Sequence, residues 1–145
     1  MIKKWYLLIF VALCSACTTT SKQQSTASQW LDKPAYAQAG AIQSGELSSY
    51  DLVSGYLARI ERLDTDTNSV LAINTQALEQ AKRIDAKIKN GESVGALAGI
   101  PVLLKDNIET SEMATTAGSM ALLNNTTGRD APIVAKLKAA DAIIL

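Results

Sequence analysis

Apolar residues recur at the spacing of an α-helix in two long stretches of the chain. The first helix is predicted to begin at Ser48 or Ser49, either of which can cap it, and to end in the segment DTDTN. Its apolar face is formed by Leu52, Val53, Tyr56, Leu57, Ile60 and Leu63. The second helix is predicted over residues 75–90, and Gly91 follows as the residue that ends it. Its apolar stripe is formed by Ala77, Leu78, Ala81, Ile84 and Ile88.

Shorter patterns surround these two helices. AYAQAGAIQSG predicts a short helix closed by Gly45, and SVLAIN predicts a strand over residues 69–74. A second strand is predicted in GIPVLLKDN, where a run of four apolar residues ends at Lys105. Asp130 is expected to cap the helix APIVAKLKAA, with Pro132 in its first turn, and AIIL follows as a strand pattern. The order helix, strand, loop, helix, strand indicates an α/β fold.

The first 29 residues differ in composition from the rest of the chain. Lys3 and Lys4 precede the nine apolar residues WYLLIFVAL and the small residues CSAC, which is the pattern of a secretory signal. Ser15-Ala16-Cys17 resembles a bacterial lipobox, so residues 1–17 are interpreted as a lipoprotein signal in which Cys17 is acylated, for example with palmitate. An ordinary cleaved signal or a disulfide between Cys14 and Cys17 are the alternatives. Residues 18–29 are predicted to be a flexible tether, and residues 30–145 the folded portion.

Composition narrows the classes of function. The chain has 14 basic and 14 acidic residues and no basic stripe with interleaved aromatic residues, so no nucleic-acid partner is predicted. It contains no histidine, which excludes Ser-His-Asp and Cys-His catalysis and every histidine-containing metal site within these 145 residues. No motif for a cofactor or a metal is found. The chain ends on a strand pattern, so we expect it to be the N-terminal part of a longer, here truncated, protein.

Lys105 is the main candidate for chemistry. It follows an apolar run and is followed by Asp106 and Asn107. A lysine can act as the base for a serine nucleophile when it is neutral, and apolar surroundings favour the neutral form. If the run is a strand, alternation points Asp106 away from the face of Lys105. The alternative is a solvated lysine at the end of an ordinary strand.

Three linked motifs give the chain a family resemblance. GIPV-x-x-KDN, then TTAGS, then DAP-x-VA-x-L-x-A-A-x-AII follow one another, and the similarity begins near Leu47. In this order and spacing they resemble the opening part of the amidase signature family. The resemblance implies an α/β fold with a mixed central sheet covered by helices. It also implies a Ser-cisSer-Lys triad that hydrolyses amide bonds through an acyl-enzyme, with Lys105 as its lysine.

Two serines of that triad have no counterpart in this chain. Ser119 of TTAGS matches neither. The TTAGS segment, with Thr116 and Gly118, is either close to a substrate or a packed connection without substrate contact, and Asn107 and Thr115 are interpreted as scaffold rather than chemistry. Asp141 stands where the family usually has glycine, which predicts strain in that turn. The expected function is therefore an amidase acting on small-molecule or peptide amides, inactive as this fragment alone, with a lipid anchor in the outer membrane facing the periplasm. The alternatives are a non-catalytic tethered domain or degenerate relative and, less favoured because of the signal pattern, an aminoacyl-tRNA amidotransferase subunit.

Overall fold

Two short parallel strands and the helices around them form the framework that carries Lys105. The computed structural model describes residues 27–145, so the signal segment with Cys17 and most of the predicted tether lie outside the described residues. The elements are, in chain order, α1 (Ala35–Gln43), α2 (Ser49–Thr67), α3 (Ala77–Lys89), β1 (Pro101–Val102), a 3-10 turn (Met120–Leu122), α4 (Pro132–Ala139) and β2 (Ile143–Ile144).

The strands define the topology. β1 and β2 are parallel, with Pro101 opposite Ile143 and Val102 opposite Ile144. Parallel neighbours need a long connection, and here a loop and then α4 supply it. This β-loop-α-β arrangement confirms the predicted α/β fold.

Helix α2 follows its sequence pattern closely. The Ser48 side chain accepts a hydrogen bond from the backbone N–H of Asp51 at 2.9 Å, so Ser48 is the N-cap. The helix ends at Asn68, whose φ of 48° is left-handed. Asp64 caps this end, because its carboxylate accepts hydrogen bonds from the backbone N–H groups of Ser69 and Val70. The predicted boundaries of α2 are confirmed.

Helix α3 also agrees with the prediction. Ala77, Ala81 and Ile84 are buried along its stripe. Gly91 has a φ of 71° and donates its N–H to the carbonyl of Ile88 at 3.0 Å, which is the geometry expected of a glycine just past a helix end. Gly45 plays the same part after α1, with a φ of 77°.

Helix α2 lies between two apolar clusters. Leu52 packs into the first, with residues of α1, Leu47 and Ile100. Val53 packs into the second, with Ala77 and Ala81 of α3 and with β2. Leu52 and Val53 are both fully buried, so one helix joins the α1 side of the core to the strand side. Leu63, the last member of the predicted face, is 49% exposed and lies beyond both clusters.

Three local predictions were wrong. Residues 69–74 form no strand; only Asn74 reaches β2, donating its backbone N–H to Leu145 and its side-chain amide to Ile144. The strand before Lys105 stops at Val102 instead of running to the lysine. Asp130 does not cap α4, because its carboxylate binds Lys138 instead, although Pro132 does begin the helix. Ala27, which lies within the segment predicted to be a tether, is buried.

Asp141 occupies the strained turn that the sequence predicted. Its φ is 61°, a region that favours glycine. The side chain binds the backbone N–H of Gly95 at 2.6 Å and Lys87 Nζ at 3.0 Å. Gly95 must approach closely here, since a Cβ on it would lie 2.5 Å from the carbonyl of Ala140. The turn between α4 and β2 is thus fastened to the segment after α3.

Candidate active site

Lys105 lies on the loop that leaves the parallel strand pair. β1 ends at Val102, and Leu103 and Leu104 carry the chain to the lysine. The Lys105 side chain is exposed, and within residues 27–145 its Nζ atom forms neither a hydrogen bond nor an ion pair. The desolvation expected of a catalytic lysine is therefore not provided by the part of the chain that the structure describes.

A groove of about 410 Å³ runs past Lys105. Its size is within the usual range for small-molecule sites. Lys105 and Asp106 are the ionisable side chains along it, and they lie among apolar and neutral polar groups. The apolar lining comes from Val70, Leu71, Leu103, Leu104, Ile108 and Met113.

Asp106 organises the loop that forms one wall of this groove. Its carboxylate accepts hydrogen bonds from the Thr116 N–H at 2.9 Å and from the Gly118 N–H at 3.3 Å. Its backbone carbonyl accepts the Ala117 N–H at 2.9 Å. Three successive N–H groups therefore donate to one residue, and the Thr116 hydroxyl donates to the same carboxylate. Sequence reasoning placed Asp106 away from the lysine by strand alternation; the residue is turned toward Thr116, but on a loop.

These hydrogen bonds act on the Asp106 charge. The Thr116 hydroxyl lowers the pKa of Asp106 most, followed by the Thr116 N–H, and together with the Gly118 N–H they outweigh the raising effect of partial burial. Lys105 lowers the same pKa least of these groups. The Asp106 carboxylate is thus ionised and stabilised chiefly by the 116–118 loop rather than by the neighbouring ammonium group.

The loop carries a backbone conformation that needs such support. Ala117 has a φ of 50°, unusual for a residue with a Cβ, and Gly118 has a φ of 72°. The backbone N–H of Thr115 binds the carbonyl of Asn125 at 3.0 Å, so Thr115 does serve as scaffold, although its buried hydroxyl has no partner within residues 27–145. Ser119 and Asn107 are exposed.

A second polar cluster, formed by Lys138, Glu112 and Asp130, holds the connection between β1 and α4 against helix α4. Lys138 Nζ of α4 lies 2.6 Å from Glu112 Oε2 and 2.8 Å from Asp130 Oδ1. Asp130 also accepts the Ser111 N–H at 2.8 Å. Burial raises the pKa of Asp130 and of Glu112, but in both cases the hydrogen bond from Lys138 and the other donors outweigh it, so both pKa values lie below normal. No pattern in the sequence pointed to this cluster.

Metal ligands and membrane-spanning helices would each point to a different class of function. In residues 27–145 no three metal-ligating side chains are grouped so that they could hold an ion. Within the same part of the chain, no helix has both the length and the apolar character needed to cross a bilayer.

Comparison with known proteins gives one consistent result. The family model described as Amidase matches residues 51–145. A glutamyl-tRNA(Gln) amidotransferase subunit of Clostridium acetobutylicum is 40% identical over 116 residues, which are 79% of this chain and 24% of that protein. The peptide amidase of Stenotrophomonas maltophilia superposes with a TM-score of 0.76 at 37% identity, covering 80% of this chain and 24% of that one.

A third relative matches a larger share of the chain. An amidase family protein from Bacillus anthracis superposes with a TM-score of 0.77 at 31% identity, over 89% of this chain and 26% of its own. The chain thus spans about a quarter of the length of these relatives. The matched residues include Lys105, the loop held by Asp106, and the parallel strand pair. The chain belongs to the amidase signature family.

Proposed function

We propose that the full-length protein carrying this chain hydrolyses amide bonds and that Lys105 is its catalytic base. The observation that carries the proposal is the position of Lys105. It lies in a groove beside the parallel strands of an amidase-family fold, with an Nζ atom that binds no carboxylate in residues 27–145. Small-molecule or peptide amides are the proposed substrates, and the peptide amidase relative supports that class.

The proposed chemistry uses two serines that this chain does not contain. One serine oxygen attacks the amide carbon while its proton passes, through the second serine, to the neutral Nζ of Lys105. The carbon–nitrogen bond then breaks, the leaving amine takes that proton, and an acyl-enzyme ester remains. Water attacks the ester by the same route, which releases the acid and restores the serine. Residues 1–145 alone hold one of the three groups, so they are expected to be inactive.

The test is substitution of Lys105 in the full-length protein. Lys105→Ala should lower the turnover of a simple amide by at least about 10²–10⁴, because general-base catalysis is worth that much. Lys105→Arg should not restore it, since guanidinium stays protonated at any working pH. Turnover is measured beside circular dichroism, with Lys136→Ala as control for loss of an exposed lysine. A folded Lys105→Ala protein with nearly normal turnover would rule out this role.

The amidotransferase relatives favour a second candidate. At about 40% identity, one component of a tRNA-dependent amidotransferase is the alternative function. The signal pattern of residues 1–17 argues against it, because that function is expected in the cytoplasm. A non-catalytic tethered domain is the third candidate, and it would be recognised by a full-length sequence without the two serines.

We also propose that Cys17 anchors the protein to the outer membrane by a lipid. The support is the lipobox-like sequence before Cys17, with Thr18 after it. Cys17→Ser should leave the precursor unprocessed and release the protein from the membrane fraction, while Cys14→Ser should do neither. Labelled palmitate incorporation is the measurement. Continued labelling of the Cys17→Ser protein would disprove the anchor.

A further inference from the structure

The negative charge of Asp106 lies next to Lys105, and the loop geometry determines which groups bind this charge. It is ionised and adjacent in sequence to a lysine that must be neutral to act as a base. A carboxylate paired with an ammonium group stabilises the charged form of that lysine. In the structure the carboxylate is instead occupied by donors from Thr116 and Gly118, and Lys105 Nζ has no ion pair within residues 27–145.

The same contacts fix the shape of the groove. Thr116, Ala117 and Gly118 donate three successive N–H groups to Asp106. These bonds hold Ala117 at its unfavourable positive φ. Ala117, Gly118, Lys105 and Asp106 all line the groove, so the loop is held on the side where the lysine lies.

We propose that Asp106 is a positioning residue for Lys105: it holds the 116–118 loop beside the lysine, and the loop in return keeps the Asp106 carboxylate from pairing with the lysine. This inference rests on the proposed function, since it concerns the same site. The ionisable side chains lining the groove are these two alone. Leu145 also lines it, and its terminal group is a carboxylate only if the chain stops there, so the test uses the full-length protein.

Two substitutions should move the protonation of Lys105 in opposite directions. Thr116→Val removes the hydroxyl donor but leaves the Thr116 and Gly118 N–H donors, so the carboxylate is held less firmly and can stabilise the ammonium form. The midpoint of the Lys105 labelling curve should then rise by about 0.2–0.7 pH unit, the size expected of an exposed ion pair. Asp106→Asn removes the negative charge but keeps one oxygen acceptor for the loop, so the midpoint should fall, by about 0.2–0.7 pH unit at most.

The measurement is the pH dependence of Lys105 labelling by an amine-reactive reagent, followed by mass spectrometry of the peptide. It reports the neutral fraction whether or not the protein turns over a substrate. Thr116→Ser keeps the hydroxyl and should retain the wild-type profile. Thr126→Val is the matched control, because Thr126 is exposed on the same loop and does not contact Asp106. In an active protein the acid limb of kcat/KM should shift with the labelling, with KM within about threefold.

The outcomes separate this inference from the proposed function. Opposite shifts support it even if wild-type protein hydrolyses no amide, a result that would overturn the proposed function alone. The inference is overturned, even in an active amidase, if the Lys105 labelling profiles of both variants coincide with that of the wild type. It is also overturned if both profiles shift in the same direction. If Thr116→Val does not fold, Thr116→Ala removes the same hydroxyl, and the upward shift expected for it decides.

Discussion

The helical part, residues 35–100, and the connecting loop, residues 103–131, are held together by different interactions. The helical part contains most of the buried apolar residues, among them Ile42, Leu52 and Val53. In the connecting loop, all of which the structure describes, no apolar residue is buried, whereas Thr110 and Thr115 are. The loop is fastened by Asp106 at one end and by Lys138 at the other.

The two kinds of interaction differ in how accurately they position atoms. Apolar burial scales with area and tolerates small shifts, so it stabilises helices without placing any single atom accurately. Hydrogen bonds to a carboxylate depend on distance and direction, so they place a loop accurately at little net gain in stability. The loop beside Lys105 uses the second kind of interaction, which suits the role of proton acceptor that we propose for Lys105.

The largest expected effect tests the helical part. Leu52→Ala should lower the free energy of unfolding of the full-length protein by about 3 kcal/mol, because it removes a fully buried side chain and leaves a cavity. Leu123→Ala makes the same truncation in the loop, where the side chain is 53% exposed, and should cost less than about 1 kcal/mol. Chemical denaturation measures both. Equal losses would show that the loop has an apolar core of its own.

A smaller effect is expected at the polar cluster of the loop. Lys138→Met keeps most of the aliphatic stem but leaves Glu112 and Asp130, with side chains 15% and 21% exposed, without their cation. The cost at pH 7 should be about 1–2 kcal/mol, less than for a fully buried pair because Thr110 and Ser111 still donate to the carboxylates.

Arg129→Met is the control for this cluster. Its ion pair with Glu109 joins the same two loop segments, but the arginine side chain is 73% exposed, so its removal should cost clearly less than the removal of Lys138. Because the pKa values of Glu112 and Asp130 are lowered on folding, the Lys138 contribution is complete above the usual carboxyl range and is lost as the pH falls through the folded values. A cost for Arg129→Met as large as for Lys138→Met would contradict this account.

The sequence predicted interactions between residues of one helix, but not those between residues that are distant along the chain. The cap at Ser48, the stripe of α3 and the turn at Gly91 depend on neighbours within one helix, and periodicity was enough to find them. Asp130 satisfied a local capping rule, but Lys138, eight residues away, competed for its carboxylate. The 69–74 segment has strand composition, yet a strand needs a partner along its length, and only Asn74 reaches β2.

The candidate site divides in the same way. Lys105 was found because it belongs to a motif of neighbouring residues. The role of Asp106 depends on Thr116, ten residues on, and on a backbone turn that brings three N–H groups to one side. Alternation along a strand was the available rule, and it did not apply because β1 ends at Val102.

A smaller effect than that of Lys138→Met is expected at a polar contact at the border of the helical part, where Asp141 binds Lys87 of α3. Asparagine tolerates the left-handed conformation and keeps an oxygen for the Gly95 N–H, so Asp141→Asn chiefly removes the charge that binds Lys87. Lys87 is 41% exposed, which limits the expected loss to about 0.5–1 kcal/mol at pH 7.

The pH dependence identifies the source of that loss. Burial raises the pKa of Asp141, but the Gly95 N–H and Lys87 outweigh it and hold the pKa below its usual 3.8. A carboxyl group with a lowered folded pKa stabilises the protein above its unfolded pKa, and this contribution disappears as the pH falls through the folded value. Stability curves of the wild type and Asp141→Asn should therefore converge as the pH falls below 3.8. Lys87→Met should show the same convergence, because it removes the other member of the pair. If the stability curves instead stay parallel down to low pH, Asp141 stabilises the protein through the conformation of its turn. The contact between Asp141 and Lys87 would then contribute to the geometry of the turn but not through its charge.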